Sequence, residues 1–142
     1  MATRGVRLGF EFLAFAWCSV RRLEQAAEII ADVGRPDVGL VIDTCHLYAS
    51  GSPLEVLDQI EGNKLFILHV NDCPQMPRSD IEDHHRVMPG RGVIPLKEIW
   101  RRLRARGYRG PVSVELFHPE YWKRDPGRVA LEARQTAEAI FG

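Results

Sequence analysis

The sequence predicts an α/β fold built from four consecutive parallel βα units. Apolar strand-like runs alternate with helix-like segments four times along the chain. The helix-like segments repeat apolar residues at i, i+3, i+4 and i+7, so each presents one face to a core. The run from Lys64 to Val70 is continuous in Leu, Phe, Ile and Val, as expected of a strand buried on both faces.

The first strand is expected from Leu8 to Phe12. Leu23, Ala26, Ala27 and Ile30 then mark a helix that begins near Ser19 and stops at Gly34 and Pro36. The second strand runs from Val38 to Asp43. Ser52-Pro53-Leu54-Glu55 has the form of a capping box with Pro at the first helical position, predicting a short helix to about Ile60. The third strand, Lys64 to Val70, leads into a long polar loop from Asn71 to Gly92. Leu96, Ile99, Trp100 and Leu103 define the next helix, ended by Gly107, and Val112 to Leu116 is the fourth strand. Asp125-Pro126 caps a last helix whose inner face carries Val129, Ala133, Ala137 and Ile140. No repeat, low-complexity tract or linker divides the chain, so a single domain is expected over residues 1–142.

Composition limits the function. The 142 residues are 45% hydrophobic and 27% charged, which excludes disorder and a collagenous or membrane-bundle class. Lys plus Arg equals Asp plus Glu at 19 each, so no global field draws the chain to nucleic acid or to anionic lipid, and a small-molecule partner is expected. Cys18, Cys45 and Cys73 make an odd count without C-x-x-C spacing, which suits buried thiols in a reducing compartment. Arg4 and Arg7 ahead of Leu8 to Val20 superficially resemble a signal peptide, but Glu11 interrupts that run. With no apolar stretch long enough to span a membrane, a cytoplasmic location is expected.

Each expected strand carries one potential metal ligand at its carboxyl end: Glu11, Asp43, His69 and Glu115. That edge is where parallel α/β folds build their sites. Taken singly, an acid there is usually a loop residue or a helix cap, and His69 alone reads as a core histidine. Jointly they say more. Glu11 lies in Gly-Phe-Glu-Phe-Leu and Glu115 in Val-Ser-Val-Glu-Leu-Phe, where an unpaired buried charge costs several kcal/mol unless a shared cation offsets it. Three carboxylates and an imidazole suit a divalent metal ion such as Mn²⁺, Mg²⁺, Co²⁺ or Zn²⁺.

Five segments carry a family resemblance: Val6 to Leu13, Val38 to His46, Leu68 to Asp72, Arg86 to Gly92 and Val112 to Glu115. Taken in order, they resemble the sugar phosphate isomerase/epimerase family of the xylose isomerase-like TIM-barrel superfamily, from about Val6 to Trp122. Inosose isomerases, ketose 3-epimerases and dehydroshikimate dehydratases are relatives. The resemblance implies that the four βα units are the C-terminal half of a (β/α)₈ barrel, a partial domain, since a whole barrel takes about 250 residues. It implies Glu11, Asp43, His69 and Glu115 as metal ligands, and His46 and Arg86 as residues for substrate oxygens. Glu11 and Glu115 would also be the catalytic pair, removing and returning a proton through an enediolate of a hydroxy-ketone.

The outcome implied is an isomerase or epimerase of a sugar or cyclitol, with a dehydratase as the alternative. A non-catalytic metal-binding half-barrel is a third reading. An apurinic endonuclease of the same superfamily ranks below these: Asp43-x-x-His46 and Asp83-x-His85 sit at compatible positions, but Arg86 and Pro89 fit the isomerase pattern and the charge is neutral. Asp83, His84 and His85 read as a polar loop, with His85 as a pocket residue at most. Phe117, Tyr121 and Trp122 read as cover for the barrel rim, and Arg101, Arg102, Arg104 and Arg106 as a solvated helix face. Open edges at the first and fourth strands predict a homodimer, or association with a complementing N-terminal half-barrel.

Overall fold

In the computed structural model, which describes residues 5–142, four strands form one parallel sheet in the order β1-β2-β3-β4. The strands are β1 (Leu8–Glu11), β2 (Val38–Asp43), β3 (Leu65–Val70) and β4 (Val112–Val114). All four lie where the hydrophobic runs put them, with β1 and β4 slightly shorter than expected. Arg4 lies outside the described residues.

Parallel register sorts the strand residues onto two faces. Glu11 pairs with Val41, and Asp43 with His69, which pairs in turn with Ser113. These positions share the inner face. Their neighbours Leu40, Ile42, Leu68 and Val70 point the other way and are buried in the core with Leu23, Ala26 and Ile30 of α1 (Leu23–Val33) and with Leu96, Ile99 and Leu103 of α3 (Leu96–Ala105). Only the helix-covered face of β3 is fully buried. Ile67 and His69 on its inner face remain half-buried, which corrects the expectation of burial on both sides. At the amino end the Phe66 ring lies over Gly39, where an added Cβ would come within 2.8 Å of it, and the Arg7 guanidinium covers Phe66 at 4.4 Å.

Two helical predictions change. Helix α1 begins at Leu23, not near Ser19, and its first N–H donates to the Ser52 hydroxyl at 3.0 Å. Ser52 therefore serves a helix distant in sequence instead of its own segment, and Leu54–Gln59 winds as a 3₁₀ helix without a side-chain cap. A helix the periodicity did not announce, α2 (Thr44–Ser50), follows β2 directly and is capped by Asp43, whose Oδ1 accepts from the His46 N–H at 2.9 Å.

The loop after β3 is tied down by Asp72. Its Oδ1 accepts from the N–H groups of Cys73 and Ile94, both at 2.9 Å, and its Oδ2 from Gly90 at 3.1 Å. Asp72 and Val87 also form an antiparallel bridge. The loop thus returns to the sheet edge at the point that carries Arg86.

The arginines of α3 are more than a solvated face. Arg102 joins Glu98 of its own helix to Glu55 and Asp58 of the 3₁₀ segment. A short helix α4 (Pro119–Trp122) precedes α5 (Pro126–Phe141), which Asp125 caps through the Arg128 N–H. Val129, Ala133, Ala137 and Ile140 are the half-buried positions expected of its inner face, yet no α5 residue is fully buried. Cys45 and Cys73 are buried and Cys18 is half-buried. No described helix is long and apolar enough to cross a membrane.

Candidate metal centre

Four consecutive strand ends deliver Glu11, Asp43, His69 and Glu115 to one place. One ligand atom from each lies within 4.8 Å of the others. Glu11 closes β1, Asp43 closes β2, His69 stands one residue before the end of β3, and Glu115 follows β4, its N–H donating to the Val70 carbonyl at 3.2 Å. The spacing of one such residue per βα unit becomes convergence because the strands are neighbours in sequence order.

The donor set fits a divalent cation. The His69 Nδ1 is buried without a hydrogen-bond partner, 3.4 Å from Glu11 Oε1 and 3.5 Å from Glu115 Oε1. Burial, and then repulsion from Asp43, hold the Glu11 carboxyl above the ordinary carboxylate range. An unpartnered imidazole nitrogen facing two carboxylate oxygens, with a third carboxylate adjacent, is a set that a shared cation satisfies at once.

Arg86 supplies positive charge from the side. Its Nη1 donates to Asp43 Oδ2 at 2.9 Å and to Glu115 Oε2 at 2.8 Å, leaving Glu115 Oε1 turned towards His69. Its Nη2 donates to Asp83 Oδ1 at 2.6 Å and lies 3.1 Å from His46 Nε2. A guanidinium only donates, so this contact takes His46 as a neutral ring with Nε2 as acceptor. The environment agrees, since burial lowers the His46 pKa and the Arg86 charge adds to this against the opposing pull of Asp43. Arg86 and His46 are both buried, at 2% and 4% exposure.

Asn71 and Thr44 complete the network without having been singled out as members of the site, and Asp83, weighed only in the nuclease reading and otherwise taken as a polar loop residue, joins them. Asn71 Nδ2 donates to Asp43 Oδ2 at 2.7 Å. Asp83 is not a free loop residue, because a 3₁₀ turn over Asp83–His85 brings it to Arg86. The signal was the Asp83-x-x-Arg86 spacing, which acts only if that turn forms. His85 instead receives the Glu82 N–H on its Nδ1 at 3.1 Å. Phe117 lies 5.0 Å below the Arg86 guanidinium, and the Tyr121 hydroxyl accepts from the Met88 N–H at 3.3 Å.

A parallel α/β sheet with one acid or imidazole at each strand end is the metal-site architecture of TIM-barrel enzymes. The chain belongs to the xylose isomerase-like TIM barrel family, whose profile matches residues 1–140. It is 41% identical to the inosose isomerase of Bacillus velezensis over 136 residues, which cover 96% of this chain and 49% of that one. It is 34% identical to the 3-dehydroshikimate dehydratase of Pseudomonas aeruginosa over 120 residues, 82% of this chain and 19% of the other. A crystal structure of the IolI protein with a bound zinc atom shares 39% identity and superposes with a TM-score of 0.94, over 96% of this chain and 49% of that one. The chain thus spans about half the length of the inosose isomerase it matches.

Proposed function

We propose that the chain is the metal-bearing half of a divalent-cation-dependent isomerase acting on a sugar or cyclitol. The observation that carries this reading is the convergence of Glu11, Asp43, His69 and Glu115, with ligand atoms within 4.8 Å, in a chain 41% identical to an inosose isomerase. A bound Mn²⁺, Mg²⁺, Co²⁺ or Zn²⁺ would polarise the carbonyl of a hydroxy-ketone and so acidify the neighbouring C–H. Glu11 and Glu115 flank the substrate position, one removing the proton and the other delivering it to the adjacent carbon. Asp43 and His69 are ligands only, because Asp43 is fully buried and occupied by Asn71 and Arg86. Arg86 and His46 orient substrate oxygens, and Arg86 holds Glu115 Oε2, leaving Oε1 turned towards His69.

Exchange of a substrate C–H proton with deuterated solvent, measured on an inosose with added divalent cation, tests the reaction. Exchange lost in Glu115→Gln supports the reading, and its absence from the parent chain overturns it. The dehydratase is the second reading, favoured by the 34% identity to a 3-dehydroshikimate dehydratase, and it predicts loss of water from that substrate. The three free cysteines support a reducing, cytoplasmic compartment.

A further inference from the structure

The hydrogens of Arg86 are almost all spoken for, which narrows what its guanidinium can still do. The group carries five N–H donors in a fixed planar fork. The two on Nη1 go to Asp43 Oδ2 at 2.9 Å and to Glu115 Oε2 at 2.8 Å. The two on Nη2 face Asp83 Oδ1 at 2.6 Å and His46 Nε2 at 3.1 Å. Nε–H is left over: it is buried, and no described residue accepts from it. An arginine whose four terminal hydrogens already serve the protein meets a further oxygen only through that fifth donor.

Which donor stays free depends on the rotation of the planar group, and Asp83 is the partner that decides it. Two bonds from Nη1 leave the plane free to turn about that nitrogen. His46, a neutral ring at 3.1 Å, is a weaker stop than a carboxylate at 2.6 Å. The Asp83 side chain is 43% exposed against 2% for Arg86, so it is the outer end of a relay that runs through Arg86 to Glu115. The loop itself does not need this carboxylate. Asp72 anchors the loop through three N–H groups, and its bridge to Val87 fixes the backbone beside Arg86. The 3₁₀ turn is closed by the backbone, with the Asp83 carbonyl accepting the Arg86 N–H at 3.2 Å, a bond that survives replacement of the side chain.

We infer that Asp83 is a positioning residue of the site: it sets the rotation of the Arg86 guanidinium, keeping Nη1 on Asp43 and Glu115 and leaving Nε–H as the donor for a substrate oxygen. The inference rests on the function proposed above and adds to it a residue that acts only through Arg86. Without the Asp83 carboxylate, Nη2 keeps one acceptor and the plane turns. Glu115 then loses the bond that leaves Oε1 facing His69, and Nε–H loses its direction. Misplacement of reacting groups by about 1 Å costs up to about 100-fold in rate.

The test is NMR of the isotope-labelled, cation-free full chain, with the Arg86 side-chain signals assigned by their loss in Arg86→Lys. The parent is expected to show the Arg86 Nη hydrogens as separate resonances, each held by its own acceptor. Asp83→Ala is expected to merge them while the backbone amides of the loop, apart from those next to residue 83, keep their positions. Asp83→Asn, which keeps an oxygen in place, should retain most of the separation. Proton exchange on an inosose at saturating concentration should fall about 10- to 100-fold in Asp83→Ala and largely recover in Asp83→Asn. Arg86 resonances indifferent to Asp83→Ala overturn the inference. So do backbone shifts spread along the loop, which would make Asp83 a loop anchor, and so does exchange that Asp83→Ala leaves unchanged. A parent chain without exchange whose Arg86 resonances still depend on Asp83 refutes the isomerase and supports the hold of Asp83 on the guanidinium.

Discussion

Asn71 holds Asp43 by a donor that can face only one way. Its Nδ2 lies 2.7 Å from Asp43 Oδ2, while the Thr44 hydroxyl lies 2.9 Å from Asn71 Oδ1 and accepts the Asn71 N–H at 3.0 Å. The amide therefore keeps its NH₂ towards the carboxylate. Replacing it, as in Asn71→Ala, leaves Asp43 free to rotate and is expected to weaken divalent-cation binding about 10- to 100-fold, read by metal titration.

Arg86 is the counter-charge of a crowded acidic site, buried against the fully buried Asp43. Arg86→Met is expected to destabilise the cation-free protein by about 3–5 kcal/mol, because it strands the carboxylates that Arg86 now neutralises. Urea unfolding measures the loss. Added Zn²⁺ should recover part of it, and equal losses with and without the ion would contradict the shared-charge account.

The loop carrying Arg86 and Asp83 depends on Asp72. Asp72→Ala removes the acceptors of the Cys73, Gly90 and Ile94 N–H groups, and a loss of about 2–4 kcal/mol is expected. Asp72→Asn keeps Oδ1 and should lose less. Gly92 is bound into the same turn, since an added Cβ would lie 2.1 Å from the Cys73 carbonyl oxygen, so Gly92→Ala should also displace the loop.

Glu24 gives a pH signature at the start of α1. Burial raises its pKa, but hydrogen bonds from Arg22 and from the Ser52 hydroxyl outweigh that and leave it below the ordinary 4.5. A depressed folded-state value contributes stability above pH 4.5, lost as pH falls through that lower value. Glu24→Gln should thus be less stable than the parent at neutral pH, by no more than about 1 kcal/mol for so exposed a pair, and the difference should vanish in acid. A difference that persists in acid would exclude this origin.

Sheet edges predict association. Val6 and Leu8 beside and on β1 are 65% and 58% exposed, and among the described residues β1 has a neighbouring strand on one side only. Sedimentation at increasing concentration should show growing mass, and a monomer throughout would contradict this.

The convergence of the strand ends was legible in the sequence because each of Glu11, Asp43, His69 and Glu115 lies at the end of an apolar run, and parallel βα units place consecutive strand ends side by side. The surrounding network was harder to read, for reasons visible in three residues. Asp43 was noted as a ligand, but its second role as cap of α2 was hidden, because Thr44–Ser50 is mostly buried and shows no amphipathic period. Ser52 had the local pattern of a cap, and tertiary packing gave its hydroxyl to Leu23 instead. Asp83 looked like loop polarity because its contact with Arg86 depends on a 3₁₀ turn that hydrophobic patterning does not encode.

Placing one proposed ligand at each strand end would make a cation site a check on strand registry. Successive residues of a strand point to opposite faces, so a one-residue slip in β1, β2, β3 or β4 would carry its acid or imidazole into the helix-packed core. Only a chain with all four strands correctly aligned can present Glu11, Asp43, His69 and Glu115 together. Tight cation binding would then proofread the fold, favouring the native alignment over each slipped alternative.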